Sequence, residues 1–130
     1  MVCLKDYRKL EEEIEYLEYK LKRTNSQLQR QISIDSSEDK ITTDSDNAEL
    51  EESIKQVEQE LFLKKQSQKK IVALIGKFER LENQILTMKH IDGMTLDAIA
   101  DELHYHPNHI KNKHAEIMRR IRFADVGISV

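Results

Sequence analysis

The sequence predicts an all-α protein, with an N-terminal antiparallel coiled-coil hairpin followed by a small C-terminal helix-turn-helix domain. Three observations carry that prediction. Tyr7, Leu10, Ile14, Leu17, Leu21 and Leu28 recur at alternating steps of three and four, broken only at Thr24. That is the spacing of a coiled-coil seam. The 130 residues include three glycines and one proline, and 35% of them are charged, which leaves few breaks and suits long solvated helices. From Phe78 onward the apolar residues change to the spacing of a small bundle, and the single proline falls between histidines in its middle.

The first seam predicts one helix over residues 4–30, about 40 Å long at ~1.5 Å per residue. The stretch SIDSSEDKITTDSDN, residues 33–47, is polar and aperiodic and is expected to be a flexible linker. Asp46, three residues before Glu49, is the expected N-cap of the next helix. Leu50, Ile54, Val57 and Leu61 then form a second seam, which folds back on the first. Two narrow seams make a thin core, so the hairpin is expected to pair with another copy as a homodimer or higher oligomer. Lys64, Lys65, Lys69 and Lys70 follow as a solvated face. Gly76 marks the junction, dividing the chain into a hairpin over 1–75 and a second domain over 76–130.

In the second domain, Phe78, Leu81, Ile85 and Met88 mark one helical face, with Leu86 beside it. His90 to Gly93 end that helix, glycine being the residue most tolerant of positive φ. Thr95 is placed to cap a short helix whose inward positions are Leu96, Ile99, Ala100 and Leu103. His104-Tyr105 then makes a tight corner. Pro107 has no amide hydrogen and a φ already set, so it suits the first turn of a helix. It starts a new helix over 107–122, with Ile110, Ile117 and Ile121 inward and His114 and Met118 alongside. A short helix, a corner and a second helix packed across it make a helix-turn-helix.

The segment LENQILTMKHIDGMTLDAIADELHYHPNHIKNKHAEIMRRIR resembles region 4 of bacterial sigma factors and its relatives among phage-encoded late-gene transcription regulators. The resemblance rests on the Leu81, Ile85 and Leu86 face, the Asp92-Gly93-Met94-Thr95-Leu96 joint, Ala98-Ile99-Ala100 with Leu103, and Ile110 before a basic tail. It covers residues 78–122, a third of the chain. His104 stands where the family usually has glycine, and His106 where it has a Ser or Thr cap. The resemblance implies a bacterial cytoplasmic setting, phage or prophage origin, double-stranded DNA as partner and RNA polymerase as a further one.

With Ile110 inward and 100° per residue, Asn108, Asn112, Ala115 and Arg119 point outward. Lys111 and Arg122 lie on one flank, His109 and Glu116 on the other. The family's base-contacting positions fall on Asn108, Lys111 and Asn112. Asn pairs with adenine N6 and N7, and Lys with guanine O6 and N7. His109, Lys113, Arg119, Arg120 and Arg122 complete the expected DNA-binding set, the arginines suiting phosphates.

Charge agrees with a basic terminus on an acidic body. Residues 1–63 hold 9 Lys and Arg against 16 Asp and Glu, a net −7. Residues 64–80 carry +5, 81–103 carry −4 and 104–130 carry +3. Cys3 is the only cysteine, so no internal disulfide forms. His90, His104, His106, His109 and His114 have ligand chemistry, but neither cysteines nor clustered carboxylates complete a site, so no metal is expected. No nucleophile elbow or phosphate loop is present, so neither a cofactor nor catalysis is expected. No membrane-spanning run occurs, and no membrane partner is expected. Two rival readings stand beside the regulator. A phage terminase small subunit also joins this motif to an oligomerising hairpin, and an interaction module would bind RNA polymerase or another protein without DNA.

Overall fold

The computed structural model describes residues 3–35 and 44–127. Among them every regular element is helical, so the protein is all-α. A single turn at Leu4–Asp6 leads into α1 (Tyr7–Asp35); α2 (Asp44–Gly76), α3 (Leu81–Leu86), α4 (Leu96–Leu103) and α5 (Pro107–Gly127) follow. No helix among the described residues is long and apolar enough to cross a membrane.

The helices form two compact units, one of residues Leu10–Ser67 and one joining Met1–Lys9 to Gln68–Val130. The first is the hairpin. Ile14, Leu17, Val57 and Leu61 are buried together, with Leu21 packed against them. Asp35 and Asp44 are too close in sequence for α2 to run parallel to α1 at this contact, because the intervening residues reach only about 30 Å. The packing is therefore antiparallel. Lys64 Nζ lies 2.7 Å from Glu13 and Lys65 Nζ 3.6 Å from Glu18, so half of the lysine run ties α2 to α1, while Lys69 and Lys70 are exposed. Such partly solvated pairs contribute about 0–1 kcal/mol each, and the apolar seam dominates. Thr24, which breaks the seam, donates its hydroxyl to the Lys20 carbonyl at 2.8 Å, so its polar group is satisfied within its own helix.

Helix occupies both ends of the stretch 33–47 expected to be a linker. Residues 33–35 extend α1 and 44–47 begin α2, so Asp46 lies inside the helix rather than capping it. Once a helix is nucleated each added residue gains a hydrogen bond, while Ser and Asp cost only about 0.5 kcal/mol against alanine. The rest of the expected linker, 36–43, lies outside the described residues.

The second unit departs from the boundary expected at 75/76. It takes in the start of α1 and the end of α2, because Leu4, Ile71 and Ile75 are buried there. Arg8 Nη1 donates to the Ile91 carbonyl at 3.1 Å. Its guanidinium lies so close to Gly93 that a Cβ there would come within 2.8 Å, and Gly93 has φ +76. Glycine is required twice over. α2 ends at Gly76, and Asn83 Nδ2 donates to the Ile75 and Phe78 carbonyls at 3.1 Å each. α3 begins at Leu81, later than the expected Phe78, because Arg80 has φ 54 and ψ −125 and breaks the helical path.

After Leu86 the helix widens into a π-helical turn, Thr87–Ile91. The Asp92 amide donates to Thr87 O at 3.0 Å and the Met94 amide to Met88 O at 2.9 Å. The core below is Ile85, Ile99, Ala100 and Ile110, rimmed by Leu81, Met88, Met94, Leu96 and Leu103. Thr95 Oγ1 accepts from the Ala98 amide at 3.1 Å, the expected cap. α4 ends at His104, whose φ 62 and ψ 44 are left-handed. There the Tyr105 amide donates to Ala100 O at 2.9 Å.

That conformation costs a residue with a side chain about 1–2 kcal/mol, and glycine adopts it freely at an entropic cost of its own. The His104→Gly protein is therefore expected to be about 1 kcal/mol more stable, seen as a higher thermal midpoint. An unchanged or lower midpoint would show that the exposed imidazole contributes at the corner.

Candidate nucleic-acid interface

α4, the His104 corner and α5 set a polar face over the Ile99, Ala100 and Ile110 core. Pro107 is the first residue of α5. His106 Nδ1 accepts from the Asn108 amide at 3.1 Å, so an imidazole nitrogen does at this helix start what a Ser or Thr hydroxyl ordinarily does. Ile110 and Ile117 are fully buried and Ile121 nearly so, fixing the rotation of α5 as the stripe predicts. Asn108, His109, Lys111, Asn112, Ala115, Glu116, Arg119, Arg120 and Arg122 are all exposed.

Exposure does not leave them equivalent. Lys111 Nζ is 3.3 Å from Asp97 on α4, with both side chains more than half exposed. That pair is weak and exchangeable. Lys113 is half-buried and lies 3.6 Å from Glu82. Arg120 Nη2 donates to the same carboxylate at 2.9 Å, and its guanidinium carbon sits 5.3 Å from the centre of the Phe78 ring. Lys113 and Arg120 therefore help hold α5 to α3. Among the described residues no ion pair engages Arg119 or Arg122, which leaves them the better placed for an external phosphate.

Tyr105, which sequence reasoning left out of the set, stacks on His109 with ring centres 5.2 Å apart and planes 25° apart. This stack restricts His109 at the start of the outer face. The spacing of four across Pro107 was its signal, but the proline hides it, because such spacing aligns side chains only within a continuous helix.

On the inner side of α5, His114 is half-buried and meets the buried His90 of the π-helical turn, Nε2 to Nε2 at 3.1 Å. Burial, then His114, Lys89 and Lys5, lower the His90 pKa to about 4. The pKa of His114 is lowered by burial and then by the same two lysines. Among the described residues no three His, Cys, Asp or Glu side chains converge as metal ligands.

The outer face of α5 thus offers amide and cationic donors on a rigid helix, the donor set that base edges and phosphates accept. No protein family, curated protein or solved structure matches this chain.

Proposed function

We propose that this chain is a sequence-specific DNA-binding transcriptional regulator, reading the major groove of double-stranded DNA with α5. One observation carries the reading. The short α4, the left-handed corner at His104 and the Pro107-started α5 pack across one core, while Asn108, Lys111, Asn112, Arg119 and Arg122 face outward. Asn108, Lys111 and Asn112 contact base edges, and Arg119 and Arg122 set the register on phosphates. This matches the resemblance to sigma region 4 and phage late-gene regulators, which also points to phage or prophage origin and a bacterial cytoplasm.

The hairpin joins two or more copies. Its core of Ile14, Leu17, Val57 and Leu61 is small, and a second hairpin buries further apolar surface. Two tethered heads would then engage spaced half-sites. The acidic hairpin or α4, with Asp97, Asp101 and Glu102 exposed, contacts RNA polymerase.

Selection of bound fragments from random duplex DNA by the full chain tests this, together with its mass by light scattering. A shared motif and the mass of two copies are expected. No binding at low salt would favour the protein-interaction reading, and a ring-sized assembly the packaging one.

A further inference from the structure

The geometry points to His90 and His114 as a proton-operated latch, which holds α5 against the π-helical turn best while both rings are neutral and loses its hydrogen bond once both are protonated. Its regulatory meaning rests on the DNA-binding reading above; the latch itself does not. The two ring centres are 5.3 Å apart and the Nε2 atoms 3.1 Å apart, the separation two imidazoles give when these nitrogens point at one another along a common line. That is an N–H···N hydrogen bond, with one ring donating its proton and the other offering a lone pair. It is not a chelate, because a metal about 2.0 Å from each nitrogen on that line needs them about 4 Å apart.

An added proton leaves a cation in a buried site, and a second sets N–H against N–H. The surroundings make the first proton costly. Lys5 of the N-terminal turn and Lys89 of the π-helical turn act on the pair, and Arg8 of α1 lies at the Ile91 carbonyl. The carboxylates of the packed helices are engaged or turned outward. Glu82 of α3 is held by Lys113 and Arg120, and Asp97 of α4 by Lys111. Asp101 and Glu102 of α4 are exposed.

The sign follows from linkage. An unfolded histidine takes its proton below about 6.5, whereas folded His90 resists until about 4. Stability supplied by the neutral pair is complete above the higher value and is lost as pH falls through this window. Opening removes the contact between α5 and the π-helical turn, and so loosens the helix that carries the DNA-reading face.

The test compares thermal midpoints of the full chain at pH 7 and pH 5, and follows the histidine ring protons by NMR. The parent is expected to lose roughly 10 °C on acidification, with the His90 ring titrating well below the ordinary range. The double variant His90→Leu with His114→Leu keeps apolar volume at the site and is expected to lose much less. Should that variant fail to fold, Lys89→Glu supplies the missing carboxylate and should raise the His90 titration and shrink the acid loss. A parent midpoint unchanged between the two pH values, an equal loss in the double variant, or both rings titrating near 6.5 would overturn the latch. None of these readouts uses DNA, so a failed latch and a failed DNA-binding reading remain distinguishable.

Discussion

Replacing Ile110 with alanine is expected to cost about 2–5 kcal/mol of stability, the range for truncating a fully buried branched side chain. Ile110 is 0% exposed and packs in one cluster with Ile85, Ile99 and Ala100, so its removal leaves a cavity shared by α3, α4 and α5. In a unit this small the loss lowers the thermal midpoint by roughly 10 °C or more, measured by far-ultraviolet circular dichroism. Ile110→Val, which keeps most of the volume, should cost only about 0.5–1.5 kcal/mol. Because Ile110 also sets the rotation of α5, partial unfolding and loss of the outer face should coincide. Equal midpoints for the alanine and valine variants would place the core elsewhere.

The second expected result separates reading from anchoring. Asn112→Ala or Lys111→Ala should each weaken binding to the selected site by about 1–3 kcal/mol and relax preference at one base position. Arg119→Ala should instead weaken all sequences alike and reduce the salt slope by about one, since one fewer phosphate is neutralised. Arg119 is the cleaner probe than Arg120, which is tied to Glu82 and stacked on Phe78, so that its loss also loosens the fold. Binding measured across salt concentrations, with helicity checked for each variant, distinguishes the cases. Folded Asn112→Ala and Lys111→Ala proteins with unaltered preference would remove α5 as the reader.

The all-α class, the corner at 104–105, the Thr95 cap and the Pro107 start were legible because each is local. Capping, proline geometry and apolar periodicity act over three or four residues. The inward stripe Ile110, Ile117 and Ile121 fixed in advance which side of α5 is exposed. What escaped was long-range. Nothing in the spacing of Leu4 or Arg8 tells that they belong with residues near 71 and 91, and they carry the unit boundary away from Gly76. The double engagement of Glu82 by Lys113 and Arg120 needs the crossing of α3 with α5, which periodicity alone does not give. His114 was legible as a packed side chain, whereas its partner His90 depends on the wide π-helical turn, and no propensity announces that turn.

The discontinuity of the C-terminal unit bears on how the chain is made. Its first piece, Met1–Lys9, leaves the ribosome well before its second, Gln68–Val130, with the whole hairpin lying between them as an insertion. The contacts of the hairpin lie within its own stretch, all of which is made before Ile91. Arg8 must then wait for the carbonyl of Ile91, 83 positions later in synthesis. A hairpin already folded shortens the effective loop that this closure must gather, and so lowers its entropic cost. Excision at Gly76, the natural place to cut by sequence, would leave Leu4, Arg8 and Ile71 behind and yield a head without part of its own interior.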